Sequence, residues 1–408
     1  MAHGEITGLV QSLKSSPGSS TAVQAAGALK TLAYENLENR DAIAEAGAIP
    51  ALVQLILGSA SGKPATIQEG QLQATQALSN LTYENNKNCD AIREAGAIPA
   101  LVHLIANPNQ QAAASQGYFS GLVGASPSSL HKQVIEQATV ALGNLAYPSP
   151  TNRDAVREAG GIPALLNLLG EVPGPGKSLT TYSTSALSNL IFENDKNREA
   201  VRAAAGIPAL ARLLRAGPHE MVTLYATTAL GNAVQGNPAN CIAVREAEAI
   251  PQIVRLLAVW TKGQKQLAGQ AASVVLELVS HSAENCAAVR EAGAVVHLVE
   301  MLRVGANSRV AQASMKIIGH LAAESSSEQQ RAMWQEGTVR PLLDMAFPIE
   351  VITLPTARRS TRVQAVGGEA ADVLAMLGYT DAIMDAQRAI RAWLLHKRRS
   401  GSPGEDRR

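Results

Sequence analysis

One arrangement of apolar and polar positions keeps returning along the chain. Ala77-Leu78-Ser79-Asn80-Leu81-Thr82-Tyr83 sets an amide beside apolar leucines, and it is followed by Asn88 and then by Glu94-Ala95-Gly96-Ala97-Ile98-Pro99-Ala100-Leu101-Val102. The first segment recurs as Ala141 to Tyr147, as Ala186 to Phe192 and as Ala229 to Asn232, each time ahead of an Ile-Pro segment. Self-similarity of this kind marks an array whose neighbouring units bury one another, not a globule around a single core.

Aligned on the Ile-Pro position, the equivalent residues are Thr7, Pro50, Pro99, Pro163, Pro208, Pro251, Val296 and Arg340, spaced by 43, 49, 64, 45, 43, 45 and 44. Each unit predicts a short first helix, a glycine turn, a second helix beginning at proline, a variable loop and a longer third helix. Asn39, Asn88, Asn152, Asn197, Asn240 and Asn285 are placed to cap the first helix, with Asp41, Asp90, Asp154 or Glu199 in its first turn to suit the helix dipole. Gly47, Gly96, Gly160 and Gly293 stand where a left-handed residue ends that helix. Proline then opens the second helix, because its missing N–H would be unpaired there in any case. Ala205 and Glu248 replace the turn glycine, so those two turns are expected to differ.

Extra length falls between second and third helices, near 58–70, 106–130, 170–178 and 347–361, and so decorates one edge of the array. Residues 1–36 read as a truncated first unit, 37–378 as the repeats with a degenerate last one (328–378), and 379–408 as an amphipathic helix with a basic tail. Terminal units of an array have one neighbour only and are expected to be atypical.

Composition narrows the function classes. A chain of 408 residues with 46% hydrophobic content can bury a large core, and a net charge of +1 gives no global nucleic-acid or membrane signal. Cys89, Cys241 and Cys286 each follow an asparagine at the same place in their units. Packed helices stand about 8–10 Å apart, whereas a disulfide needs Cα atoms within about 7 Å. Free thiols in a reducing compartment are therefore expected. The first residues lack the basic and apolar regions of a signal peptide, and no apolar run reaches about 18 residues. A monomeric protein of the cytoplasm, the nucleus or both is the expectation.

The combined motif, Asn followed by Ala-Ile, Glu-Ala-Gly-Ala-Ile-Pro-Ala-Leu-Val and later Ala-Leu-Ser-Asn-Leu, resembles the armadillo repeat over about residues 5–378. The resemblance implies an all-α, right-handed superhelix of about seven to eight three-helix units whose third helices line a concave groove. In armadillo proteins such as β-catenin and the importin α adaptors, the third-helix asparagine hydrogen-bonds the backbone of an extended peptide. The importin α adaptors carry Trp four residues before that asparagine. Here Gln76, Val140, Ser185 and Thr228 occupy the place, which disfavours a receptor for nuclear localisation signals.

Asparagine is a poor residue for a helix interior, yet Asn80, Asn144, Asn189 and Asn232 hold the same place in four successive units. An exposed amide offers a donor and an acceptor together, the complement of a peptide unit. The alternative is a tie between helices of adjacent repeats. Four and seven residues earlier on the same face stand Gln73 and Gln76, Gln137 and Val140, Tyr182 and Ser185, Tyr225 and Thr228, a mostly polar strip. Three residues after the amide come Tyr83, Tyr147 and Phe192, with Tyr34 at the matching place before them. These rings read either as a ladder for partner side chains or as plugs closing the joint to the next first helix. Glu35, Glu84 and Glu193 follow the rings and suit a basic partner or simply a solvated helix end. Two hydrogen bonds at each amide, at roughly 0.5–1.5 kcal/mol each, reach several kcal/mol, against about −8 kcal/mol for micromolar binding. Side-chain pockets must therefore set affinity.

Other signals fail. Gly170 to Ser178 has Glu171 where a phosphate-binding loop requires its first glycine, and it follows a Leu-rich helix instead of a strand. His103 and His297 sit on second helices, and no metal-ligand spacing or nucleophile elbow occurs, so no cofactor and no catalysis are expected. Residues 386–399 resemble a degenerate IQ motif, a calmodulin or light-chain site in other proteins: Gln387 and Arg391 match, while Ala386, Ala392 and His396 depart. Trp393 lies with Ile383, Ile390 and Leu394 on an apolar stripe. The alternative is a helix covering the last repeat. The expected function is a non-catalytic scaffold holding an extended segment of another protein. The alternatives are a cargo adaptor in ubiquitin ligation or nuclear transport, and an adaptor responsive to a calmodulin-like protein.

Overall fold

The computed structural model describes residues 2–338 apart from 16, 35, 59–63, 107–128, 171–176 and 305–307, together with 341–342, 349–353, 359–363 and 373. Two compact units emerge, residues 1–233 and 234–408. The first opens with α1 (Ala2–Ser15) and α2 (Ser20–Ala33). Three-helix repeats follow: α3 (Leu37–Glu45), α4 (Ala48–Ile56) and α5 (Pro64–Thr82), then α6 (Asn86–Glu94), α7 (Ala97–Ala106) and α8 (Ser129–Ala146). The next two are α9 (Pro150–Glu158), α10 (Gly161–Asn167) and α11 (Lys177–Ile191), then α12 (Asp195–Ala203), α13 (Gly206–Leu213) and α14 (Met221–Val234). The second unit continues the pattern with α15 (Pro238–Glu246), α16 (Ile250–Leu257) and α17 (Lys265–Val279), then α18 (Ala283–Glu291), α19 (Ala294–Leu302) and α20 (Arg309–Ala323), and α21 (Ser327–Gln335).

A pair of antiparallel strands, β1 (Ile349–Thr353) and β2 (Arg359–Val363), adds a hairpin to this helical array, with Ile349 opposite Val363. It lies in the stretch read from sequence as an irregular insertion. The helices α5, α8 and α11 begin inside the other variable stretches. The sites predicted at Gln387, Arg391 and Trp393 lie outside the described residues.

Third helices stack in chain order, α2 on α5, α5 on α8 and α8 on α11 in the first unit, and α17 on α20 in the second. Leu29, Leu78, Leu142, Leu187 and Leu230 hold one equivalent position and are fully buried. Each such side chain contributes about 1.5–3 kcal/mol by leaving water. Small residues permit the close approach: a Cβ added at Gly143 would sit 3.3 Å from Cβ of Ala186 on the next third helix.

The asparagines predicted as caps are not caps. The true N-caps lie three residues earlier, at Asn36, Asn85, Ser149, Asn194, Asn237 and Ser282, and each accepts the backbone N–H of Asn39, Asn88, Asn152, Asn197, Asn240 or Asn285. Sequence alone could not separate the two sites, because either residue suits a helix start. The later asparagines point inward instead, as described below. The cap residues also join first helices: Asn85 Nδ2 donates to Asp41 Oδ1 at 2.7 Å and Asn194 Nδ2 to Asp154 Oδ1 at 3.1 Å. In the second unit, where no acid occupies the place of Asp154, the arginine one turn on reaches forward. Arg245 Nη1 lies 3.3 Å from Ser282 Oγ and 2.9 Å from Asn285 Oδ1, and Arg290 Nη1 donates to Ser325 Oγ at 2.8 Å.

Gly47, Gly96, Gly160 and Gly293 are left-handed, with φ between 76° and 80°. The turns at Ala205 and Glu248 do not escape that requirement, contrary to expectation. Both residues are held at φ 54°, and only the start of α16, one residue late, distinguishes the second. The prolines occupy the first turn of the second helices, as the third helical residue in α4, α7, α10 and α13 and the second in α16.

Left-handed backbone costs a residue with a Cβ about 1–2 kcal/mol, partly offset by the greater freedom that glycine brings to the unfolded chain. Ala205→Gly and Glu248→Gly should therefore each stabilise the protein by about 0.5–1 kcal/mol, and Gly160→Ala should destabilise it, as urea midpoints would show. Asn194, the largest influence on Asp154, holds that carboxyl below its ordinary range. The linked stability is full above the unfolded value near 3.9 and is lost as pH falls through the lower folded value. In acid unfolding curves, Asn194→Ala should shrink the stability difference between neutral and acidic pH.

Candidate functional site

Each third helix of residues 1–233 is buried on every side but one. Beyond its first two turns, α5 leaves only Gln71, Gln73, Gln76 and Asn80 partly open, before Tyr83 stands exposed. Open positions of α8 include Gln137, Val140 and Asn144, with Tyr147 just past its end; those of α11 include Tyr182, Ser185 and Asn189, with Phe192 just past its end; those of α14 include Tyr225, Thr228 and Asn232. The spacing of three and four residues aligns each set along one helix face. The predicted site residues thus form successive stripes, each about one residue wide per turn.

The four amides are half committed. Asn80 Nδ2 donates to Lys30 O at 3.0 Å, Asn144 Nδ2 to Ser79 O at 3.4 Å and to Thr82 Oγ1 at 3.2 Å. Asn189 Nδ2 donates to Gly143 O and Asn232 Nδ2 to Ser188 O, each at 3.0 Å. Every carbonyl acceptor belongs to the residue just before the equivalent position in the preceding third helix, within its last turn, where the i to i+4 ladder runs out. The tie between repeats is therefore real. It leaves each Oδ1 without a donor among the described residues and aims the amide along the stripe.

First helices complete the same task. Asn39, Asn88, Asn152, Asn197 and Asn285, each by Nδ2, donate to Leu32, Leu81, Leu145, Leu190 and Leu278 carbonyls at 2.7–3.2 Å. Asn88 and Asn197 also reach Arg40 O and Arg153 O of the preceding first helix. The residue after each of these asparagines serves the next carbonyl. Arg40 Nε donates to Ala33 O at 3.1 Å and Arg153 Nη1 to Ala146 O at 3.2 Å. The thiols of Cys89, Cys241 and Cys286 point at Thr82, Val234 and Val279 carbonyls at 3.5, 3.7 and 3.3 Å. Sequence reading missed the arginines altogether; their signal was the alternation of Arg and Cys at one fixed place after Asn.

The rings stand at the surface, so they are not plugs: Tyr34 is 63%, Tyr83 57%, Tyr147 74% and Phe192 44% exposed. The Arg40 guanidinium lies 5.5 Å from the Tyr83 ring centre and that of Arg153 5.9 Å from the Phe192 ring. Burial pulls the Arg153 pKa down, and the Glu193 and Asp154 carboxylates oppose that pull. Glu193 thus serves a buried cation within its own repeat, which weakens its reading as a mark of a basic partner. Glu84 and Glu193 both take left-handed backbone, at φ 50° and 46°.

In the second unit the amide position changes chemistry. Glu277 and His320 replace the asparagine, and Ser280 the ring. Glu277 Oε2 accepts the Gly236 N–H at 3.1 Å and lies 3.6 Å from His281 Nε2, while His320 Nε2 is 3.4 Å from Ser280 Oγ. The amide row therefore belongs to residues 1–233. Among the described residues no cluster of His, Cys, Asp and Glu could hold a metal ion, and no helix is long and apolar enough to cross a membrane.

The repeated three-helix arrangement is that of an armadillo-repeat solenoid, and the comparisons agree. Residues 36–83, 149–192 and 194–234 match the Armadillo/beta-catenin-like repeat, so these three segments are armadillo repeats. A crystal structure of an engineered protein from the Northeast Structural Genomics Consortium superposes with a TM-score of 0.62 at 24% identity, covering 94% of this chain and 92% of that one. A designed armadillo repeat protein gives 0.53 at 22% identity over 67% of this chain and 99% of its own. A structure described as computationally designed armadillo repeat proteins for modular peptide recognition gives 0.53 at 24% identity over 66% and 99%. Comparison with curated proteins yields no match.

Truncating the buried Asn197 orphans two carbonyls and should cost more, at about 2–3 kcal/mol, than Asn189→Ala at about 1 kcal/mol, as paired urea titrations would show. Burial pushes the Cys89 thiol up to about 12 and that of Cys241 to about 11. With folded values above the unfolded one, these thiols favour folding below the ordinary thiol range and lose that contribution as pH rises through it. A thiol reagent at pH 8 should leave the three cysteines untouched in the native protein and label all of them once guanidinium unfolds it.

Proposed function

We propose that the chain is a non-catalytic protein-interaction scaffold in which the third-helix stripes of residues 1–233 hold an extended segment of another protein. The observation that carries this reading is the placement of Asn80, Asn144, Asn189 and Asn232. Each commits Nδ2 to the neighbouring helix and keeps its carbonyl oxygen uncommitted, and Asn80, Asn189 and Asn232 keep a second N–H as well, whereas Asn144 also reaches Thr82 Oγ1. A peptide backbone supplies the matching donors and acceptors at each step. Exposed rings at the stripe ends add apolar area that is large yet conformationally inexpensive to order. Support also comes from the likeness in fold to armadillo proteins designed for modular peptide recognition. With part of each amide already used, backbone contacts alone fall short of the roughly −8 kcal/mol of micromolar affinity, so the variable stripe residues Gln76, Val140, Ser185 and Thr228 choose the segment.

Blocking the stripe without touching the ties tests this. The full-length chain and its Gln76→Arg, Ser185→Arg, Thr228→Arg triple variant would be used to capture proteins from cell extract. A partner held by the native chain should be lost at least tenfold from the variant at an unchanged melting temperature, and a synthetic linear peptide from that partner should compete. A partner retained by the variant, or one that binds only as a folded domain, would sink the proposal.

A further inference from the structure

The place immediately after the first-helix asparagine carries Arg40, Cys89, Arg153, Arg198, Cys241 and Cys286 in successive repeats. Where it is Arg40 or Arg153, the buried side chain does more than serve a carbonyl. Arg40 Nε bonds Ala33 O on the preceding third helix, and its Nη1 bonds Tyr83 O at the end of the third helix of its own repeat, so it bridges the two. Its guanidinium also floors the Tyr83 ring. Arg153 reaches Ala146 O and Tyr147 O, each at 3.2 Å, and floors the Phe192 ring of its own repeat. Arg40 is 6% and Arg153 4% exposed, so each guanidinium is fixed by burial and by directed bonds before it meets a ring. Cys89 reaches one carbonyl, Thr82 O, and is too short to lie beneath Tyr147; among the described residues no cation does. The exposures follow: Tyr147 is 74% open, against 57% for Tyr83 and 44% for Phe192.

We propose that Arg40 and Arg153 are positioning residues of the binding face, holding Tyr83 and Phe192 as rigid platforms, while Cys89 leaves the intervening Tyr147 free to turn. A fixed ring offers contact area with little ordering left to do, and a free ring adapts to the side chain it meets. The face is thereby graded, with two preorganised contacts flanking one adaptable contact. The role in recognition rests on the scaffold reading above; the ring geometry does not, and it can be read in the free protein.

The chain has three phenylalanines, Phe119, Phe192 and Phe347, so 4-fluorophenylalanine labelling of the full-length protein gives few signals. Phe192→Leu assigns that ring, and Tyr83→Phe and Tyr147→Phe place reporters at the other two. The fluorine signals at 83 and 192 should be displaced from the free amino acid and broadened relative to the signal at 147. Arg153→Met should carry the signal at 192 to the sharp, undisplaced form with 83 unmoved and 147, whose backbone carbonyl Arg153 reaches, still sharp, and Cys89→Arg should give 147 the displaced form. A loss of repeat packing would instead move all three signals together, which separates positioning from mere stability; Arg153→Lys, which keeps charge and stem, should restore part of the displacement. Alike signals at 147 and 192 in the native chain, or a signal at 192 indifferent to Arg153→Met in a folded protein, would overturn the proposal. If blocking the stripe fails to release any partner while these shifts behave as stated, the scaffold reading falls and the positioning geometry stands.

Discussion

Everything in this array depends on what happens to the carbonyls at the C-terminal ends of the third helices. Those ends are buried between repeats, away from water, and an α-helix leaves its last carbonyls without complete partners of its own. An unpaired buried carbonyl costs about 1–3 kcal/mol, repeated at every unit. Within residues 1–233 the chain meets the demand with up to three side chains per joint: the third-helix amide of the next repeat, the first-helix asparagine, and the arginine or thiol beside it. Since the amide, the asparagine and the thiol all come from the following repeat, and only an arginine such as Arg40 also reaches the end of its own third helix, neighbouring repeats are interdependent for polar reasons as well as for the burial of leucine.

The proposed role grows out of that same arrangement. An amide that must reach backward to a neighbouring helix is held with its other polar atoms facing outward, so the structural tie and the open row of acceptors are one feature. Helix burial leaves a stripe only about one residue wide per turn, a width that suits the extended segment of the proposed reading. The guanidinium that closes a carbonyl joint also lies under an exposed ring, coupling joint chemistry to surface geometry. Where the chain places Glu277 and His320 instead of asparagine, the row ends, and ionisable groups engage a backbone N–H and a serine in its place.

The repeat period, the three-helix order, the glycine turns and the identity of the amide row were legible because they rest on local periodicity and single-residue backbone preference. The true helix caps were not, since Asn85 and Asn88 suit a helix start equally and only the direction of the chain shows which faces inward. The turns at Ala205 and Glu248 were misread for a related reason: packing of first against second helix imposes left-handed backbone whatever residue stands there. The exposure of Tyr83, Tyr147 and Phe192, and the arginines below two of them, depend on contacts between residues about 40 positions apart.

By itself the sequence determined that this chain repeats a three-helix unit with a periodic polar row, because apolar spacing, glycine and proline act within a few residues. Tertiary structure alone decided that the row's amides are shared between a neighbouring helix and the open face, that the thiols and guanidiniums serve as interior donors, and that the rings face solvent. Those outcomes turn on which buried carbonyl each side chain can reach, and that is fixed only when one repeat has packed against the next.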